Sequence, residues 1–225
     1  MKKSALILCG GFGTRFRKVS SSPKILASFR DKLFIDWLLE FIALNSFEEI
    51  FLSIGNRGSE IEHHVSKFYP NANIKIIHEE NPLGTGGAVK YFFELYPMKE
   101  VYVFNGDTFY SQKIPELLFT DYSCNKILCL CKKLDLNIRF GDFSIVDGKL
   151  NILRGSEKTP ILNSQVYCGI ARVPIDILKN NRKSVFSFEE LLRGQKNTKL
   201  IFYEGEFLDY GVPEDYTKLE KKYGV

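Results

Sequence analysis

Apolar residues in the first hundred positions come as short bursts, separated by longer stretches in which they recur every third or fourth position. The bursts Ala5–Leu8, Ile50–Ile54, Ile74–Ile77 and Val101–Phe104 have the length and the β-branched and aromatic content of buried strands. The stretches Leu33–Asn45, Ser59–Phe68 and Thr85–Leu95 carry a helical period. Strand and helix in strict alternation mean parallel strands joined by crossover helices. After Asp107 the rhythm changes. Strand-like runs Ile127–Lys132, Phe143–Val146, Leu150–Leu153 and Gln165–Arg172 follow one another without long helices, as added and partly antiparallel strands would. Helical patterning returns at Ile175–Lys179, Phe188–Leu192 and Glu214–Tyr223, with a last strand pair near Leu200–Tyr203 and Phe207–Asp209. The expected fold is α/β, a mostly parallel central sheet flanked by helices with extra strands in the second half.

Composition sharpens this only a little. A chain of 225 residues, 44% hydrophobic and 26% charged, can bury a full core in a single domain, with halves at 1–110 and 111–225. The net charge of +4 is small and its Lys and Arg are dispersed, which leaves no stripe for nucleic acid and no polybasic membrane patch. No run of eighteen apolar residues occurs, and Met1-Lys2-Lys3-Ser4 leads directly into a strand without a signal-peptide core, so a cytoplasmic location is expected. The five cysteines form no Cys-x-x-Cys and read as reduced core residues. His63, His64 and His78 lack a metal-like grouping and are assigned no chemistry.

The chemistry starts where the first strand ends. Leu8-Cys9-Gly10-Gly11-Phe12-Gly13-Thr14-Arg15 leaves backbone N–H groups uncovered for an anion, and Arg15 and Lys24 stand beside that cradle as fixed charges. A Walker A loop would need Gly-Lys-Ser/Thr, and a dinucleotide fingerprint would need a third glycine three positions after the second; both fail at Thr14-Arg15-Phe16. With Pro23-Lys24 added, the pattern resembles the signature of the sugar-1-phosphate nucleotidyltransferases. That resemblance covers nearly the whole chain and implies a Rossmann-like, GT-A-like core whose first half binds nucleotide and whose second half binds sugar.

The resemblance also implies the reaction: a sugar 1-phosphate oxygen attacks the α-phosphorus of a nucleoside triphosphate and pyrophosphate leaves. Two anions must meet, so the protein has to cancel negative charge and hold nucleophile and leaving group in line. By resemblance, Arg15 neutralises the triphosphate and Lys24 bridges the acceptor phosphate and the reacting phosphoryl group. Leu8, Gly10, Gly11, Gly13, Thr14 and Asn105 are expected at the nucleotide. Asn105-Gly106-Asp107 has the composition of a surface turn, yet it directly follows the strand Val101–Phe104, where ligands of open α/β sheets gather. Gly106-Asp107 also matches the family's Gly-Asp, and Asp209 lies in Asp-Tyr-Gly-Val-Pro-Glu-Asp, which resembles the family's late Asp-x-Gly-x-Pro-Glu-Asp segment; the resemblance implies these two as ligands of Mg²⁺, with Mn²⁺ as a substitute.

Specificity rests on fewer side chains. His78-Glu79-Glu80-Asn81-Pro82-Leu83-Gly84-Thr85-Gly86-Gly87 resembles the family's base-binding loop, and Gly84 is expected to close over the nucleobase. Guanine presents two adjacent donors, which an acceptor-only carboxylate from Glu79 or Glu80 can take together, so GTP is the expected nucleotide. Gly141, the pair Glu157-Lys158, Cys168-Gly169 and Glu189 resemble the sugar-phosphate side. Tyr167-Cys168 replaces the family's usual Asn-Ala. Ser187 and Glu190 form a Ser-x-x-Glu capping box, a structural device. Among short family members the motifs are most similar to guanylyltransferases acting on a manno-configured heptose 1-phosphate for bacterial surface polysaccharide. Mannose-1-phosphate guanylyltransferase and glucose-1-phosphate thymidylyl- or uridylyltransferase share the catalytic residues and stay open. So do a catalytically silent sensing subunit, a glycosyltransferase and a homo-oligomeric assembly. No hexapeptide repeats occur, and a monofunctional chain is expected.

Overall fold

The computed structural model describes residues 2–11, 22–120, 125–154 and 159–209, with Asp215, Thr217, Lys221 and Lys222 beyond them. In chain order the strands and helices are β1 (Ser4–Leu8), β2 (Ser28–Phe29), β3 (Lys32–Leu33), α1 (Phe34–Leu44), β4 (Glu49–Ile54), α2 (Gly58–Phe68), β5 (Ile74–His78), α3 (Gly84–Leu95), β6 (Glu100–Asn105), β7 (Thr108–Tyr110), α4 (Leu117–Thr120), β8 (Ile127–Asn137), β9 (Gly141–Val146), β10 (Lys149–Arg154), β11 (Ile161–Pro174), α5 (Phe188–Leu192), β12 (Thr198–Phe202) and β13 (Phe207–Asp209). The expected α/β alternation is present. The chain divides into two compact units, one of Met1–Pro82, Phe104–Lys113 and Gly205–Val225, the other of Leu83–Val103 and Ile114–Glu204.

In the first unit β1, β4 and β5 are parallel, with α1 and α2 in the crossovers. The register runs Leu8↔Ser53 and Ser53↔Ile77, so three strands end at one level. The loops that leave them therefore emerge side by side. Two-residue strands β2 and β3 form a small hairpin that sequence patterning did not reveal, closed by Arg30 at φ 56°. Strand β13 pairs antiparallel with β7, Asp209 opposite Thr108. An aromatic cluster supports β7: Trp37 of α1 lies 4.6 Å from Phe109 between ring centroids, and Phe41 stacks on Tyr110 at 5.1 Å. Each such pair adds on the order of 0.5–1.5 kcal/mol beyond the burial of its area. This cluster anchors the turn that carries Asp107.

The second unit is built on a long antiparallel ribbon of β8 and β11. β12 joins β8 in parallel, and β11 sits between β9 and β6 in the strand order. Both ribbon strands exceed their apolar runs. Along β8 the residues change from fully buried to alternating exposed after Cys131, because pairing with β11 continues where burial stops. The helix expected at Ile175–Lys179 is a single 3-10 turn, Ile175–Leu178, following Pro174. The helix expected at Glu214–Tyr223 lies largely outside the described residues. Cys129, Cys131 and Cys168 are buried free thiols. Burial pushes the Cys129 thiol up to about 12. No described helix is long and apolar enough to cross a membrane.

Candidate functional site

The carboxyl ends of β1, β4 and β5 build the centre of the site in the first unit. Ser53 lies in the middle strand, and its carbonyl accepts a hydrogen bond from Cys9 N at 2.8 Å. The next carbonyl, that of Ile54, accepts from Glu79 N at 2.8 Å. Adjacent peptide groups of one strand thereby fix both the start of the glycine loop and the start of the acidic loop. Ser53 Oγ also donates to Glu79 Oε1 at 2.7 Å. The same carboxylate lies against Gly10, where an added Cβ would meet Oε1 first and would be 2.9 Å from Glu79 Cδ and 3.1 Å from Oε2. Position 10 thus needs glycine for the approach of Glu79, a reason the sequence did not display.

The strand end Leu8 meets the turn after β6. Gly106 N donates to Leu8 O at 3.2 Å, and a Cβ at Gly106 would come within 2.6 Å of that oxygen. The close approach makes Asn105-Gly106-Asp107 part of the site floor and not a free surface turn. Lys24 Nζ, at the start of a 3-10 turn Lys24–Leu26, donates to Asp107 Oδ2 at 2.5 Å. The pairing of β13 with β7 puts Asp209 opposite Thr108, one residue along from Asp107. Lys24 and Asp107 thus pair at the end of β6, and Asp209 stands on the neighbouring strand of the β7–β13 ribbon. Cys9 stands among these charges. Burial pushes its thiol well up, and the negative charges of Asp107 and Glu79 add to the effect, so the thiol stays protonated.

Of the residues expected at nucleotide and metal, the structure brings together Leu8, Gly10, Lys24, Glu79, Asn105, Asp107 and Asp209 in this unit, with Gly11 at its exposed edge. Glu80 is exposed, whereas Glu79 is half-buried and anchored. Gly13, Thr14 and Arg15 lie outside the described residues. Among the described residues no cluster of three or more His, Cys, Asp or Glu could hold a metal ion. Two carboxylates suit a hard cation that takes its remaining oxygens from phosphate and water. Sequence reading passed over Ser53. Its signal was available: a lone hydroxyl inside the apolar run Ile50-Phe51-Leu52-Ser53-Ile54.

The second unit holds the other expected residues. Gly84 opens α3 at φ 71°, and Gly86 N and Gly87 N donate to Phe186 O at 3.0 and 3.2 Å. The glycines of this loop pack on 184–187, and those two N–H groups are engaged within the protein. Ser187 and Glu190 form the expected capping box on α5, with Glu190 N donating to Ser187 Oγ at 3.1 Å. Glu189 accepts from Arg154, and a Cβ at Gly141 would lie 3.6 Å from Glu189 Oε1, so Gly141, Arg154 and Glu189 form one polar group. Cys168 is 1% exposed, next to a bulge in β11 where Gly169 adopts φ 84°. Glu157 and Lys158 lie outside the described residues.

The histidines take up structural contacts: His64 Nε2 is 2.6 Å from Asp36 Oδ1, and His78 pairs with Glu62 at 3.3 Å. A cavity of about 400 Å³ beside α2, lined by Leu26, Ser59, His63 and Lys67 among others, contains none of the residues expected at substrate.

Comparison with known proteins identifies the family. The family model described as Nucleotidyl transferase matches residues 4–160. D-glycero-alpha-D-manno-heptose 1-phosphate guanylyltransferase of Campylobacter jejuni is 31% identical over 219 residues, spanning 94% of this chain and 96% of the relative. The protein of the same name from Aneurinibacillus thermoaerophilus is 29% identical over 226 residues, spanning 97% of each. The crystal structure of HddC from Yersinia pseudotuberculosis complexed with GMP-PN matches with a TM-score of 0.82 at 27% identity, covering 98% of this chain and 99% of that one. With the family model spanning most of its length and relatives aligned almost end to end, the chain belongs to the nucleotidyl transferase family.

Proposed function

We propose that this protein transfers a guanylyl group from GTP to D-glycero-α-D-manno-heptose 1-phosphate, releasing pyrophosphate and forming GDP-heptose in the cytoplasm for surface polysaccharide. The observation that carries the guanine reading is Glu79, an acceptor-only carboxylate anchored at the end of β5 beside the glycine strand end. Two relatives named as guanylyltransferases for this heptose phosphate, aligned over nearly the full chain, support the choice of sugar.

In this reading the sugar phosphate oxygen forms a bond to the α-phosphorus while the bond from that phosphorus to the pyrophosphate oxygen breaks. Lys24 leaves Asp107 to grip the acceptor phosphate and the reacting phosphoryl group, and Arg15 balances the charge that collects on the leaving pyrophosphate. Asp107 and Asp209 would hold Mg²⁺, or Mn²⁺ in its place, which supplies further charge neutralisation at the phosphates when bound. Gly141, Cys168-Gly169, Glu157, Lys158 and Glu189 belong to the sugar-phosphate side.

Pyrophosphate release measured across four nucleoside triphosphates and a panel of sugar 1-phosphates tests the proposal. GTP with the manno-heptose 1-phosphate should give the highest kcat/KM. A higher value for dTTP or UTP with glucose 1-phosphate would overturn the substrate assignment and leave the transfer chemistry standing.

A further inference from the structure

The geometry points to Ser53 as a positioning residue that sets base specificity by orienting the Glu79 carboxylate. This inference rests on Glu79 being the guanine acceptor. Ser53 is fully buried in a strand whose neighbours are apolar, and a buried hydroxyl costs free energy unless it is hydrogen-bonded. Its bond goes to Glu79 Oε1 at 2.7 Å, while its carbonyl holds Cys9 N. One residue of the central strand therefore fixes the glycine loop with its main chain and the acidic loop with its side chain.

Orientation matters here because the last torsion of a glutamate is broad and roughly two-fold. A carboxylate offers about four lone-pair sites, all in its plane, so it meets N1–H and the 2-amino group of guanine together only when that plane is aligned with the base edge. In the structure that plane is confined by the Ser53 hydroxyl, which donates to Oε1, and by the close packing of Gly10, where an added Cβ would meet Oε1 first and then Cδ and Oε2. With the hydroxyl removed, Oε1 loses a buried donor and the carboxylate rotates more freely. The contact to the 2-amino group then weakens, because a rotated carboxylate keeps one donor at the expense of the other.

The test compares GTP with inosine triphosphate, which lacks the 2-amino group, in the wild type, Ser53→Ala, Ser53→Cys, Glu79→Gln and the double variant of Ser53→Ala with Glu79→Gln. In Ser53→Ala the preference for GTP should drop about three- to tenfold, the worth of one hydrogen bond. The loss should sit in KM for the nucleotide, with kcat and the KM for sugar 1-phosphate within about twofold of wild type. Ser53→Cys, which keeps the side-chain volume with a weaker donor, should fall between, and it carries the test should the alanine variant fail to fold. Adding Ser53→Ala to Glu79→Gln should change the preference no further. A wild type that prefers GTP, with an unchanged GTP-to-inosine ratio in both Ser53 variants or an undiminished loss in the double variant, would overturn the role of Ser53 alone. A wild type that prefers dTTP or UTP would sink the guanine reading, and the Ser53 inference with it.

Discussion

Lys24 and Asp107, 83 residues apart in the chain, meet in an ion pair of 2.5 Å at the end of β6. The lysine side chain is 16% exposed and the aspartate 34%, so the pair is partly open to solvent and adds little stability. Its significance is chemical. In the proposed reaction the acceptor phosphate would take the ammonium and a divalent cation the carboxylate, and the pair would part as they bind.

Replacing the cations tests that arrangement. Lys24→Ala and Arg15→Ala should each lower the rate of pyrophosphate release by roughly a hundredfold or more, because each partners charge that develops in the transition state. Lys24→Arg should restore only part of it, since a planar fork does not replace a compact ammonium. Wild-type turnover in either alanine variant would rule out this mechanism.

The carboxylate of the pair has a separate signature. Asp107→Asn keeps the shape of the turn that Gly106 and Leu8 secure but loses the charge, so turnover should fall on the order of a thousandfold while the melting temperature stays near that of wild type. Asp209→Asn should act in the same direction. Full activity in excess chelator, or in Asp107→Asn, would remove the metal assignment.

Glu79 and Glu80 are neighbours with different surroundings, one anchored and one exposed. Changing both to Gln should erode the preference for GTP over dTTP by about 1–3 kcal/mol, the scale of a bidentate pair. Glu79→Gln alone should carry nearly all of that change. Steady-state kinetics that traced the preference to Glu80 would contradict the geometry.

Acid stability should report on Glu49, which is buried at the start of β4. Burial alone pushes its pKa up, but Lys75 at 2.6 Å, Lys2 at 3.8 Å and Ser4 outweigh it and draw the carboxyl below its ordinary value of 4.5. A lowered folded value means the stabilisation is complete above pH 4.5 and is lost as pH falls through that lowered value. Thermal melts of the wild type should therefore decline with acidification in this window, and Glu49→Gln should flatten the decline. Identical pH profiles would count against it.

A backbone prediction concerns the second unit. At Gly84 φ is 71°, and a Cβ would lie 2.5 Å from Phe186 O. Gly84→Ala should cost roughly 1–3 kcal/mol of stability through strain and displacement of 184–187, read as a lower urea midpoint.

Local pattern alone was enough to identify the alternation of β1, α1, β4, α2, β5, α3 and β6, because each element writes its own period into a few neighbouring residues. The same holds for the Ser187–Glu190 cap, whose partners are three positions apart. Lys24, Asp107 and Asp209 could be named from local motifs. The Lys24–Asp107 pair and the place of Asp209 opposite Thr108 could not be read there, since they depend on which strand ends share a level and on β13 pairing with β7. The full lengths of β8 and β11 were hidden for a related reason: their outer halves are held by cross-strand pairing and not by burial, so no apolar run marks them. Position 10 is the sharpest case. Its glycine reads from sequence as an opening for phosphate, while the fold shows a carboxylate 69 residues later lying against it, held by a serine in a third strand. Contacts of that kind are set by strand register, which depends on the packing of the whole sheet and is not encoded at any one of the positions involved.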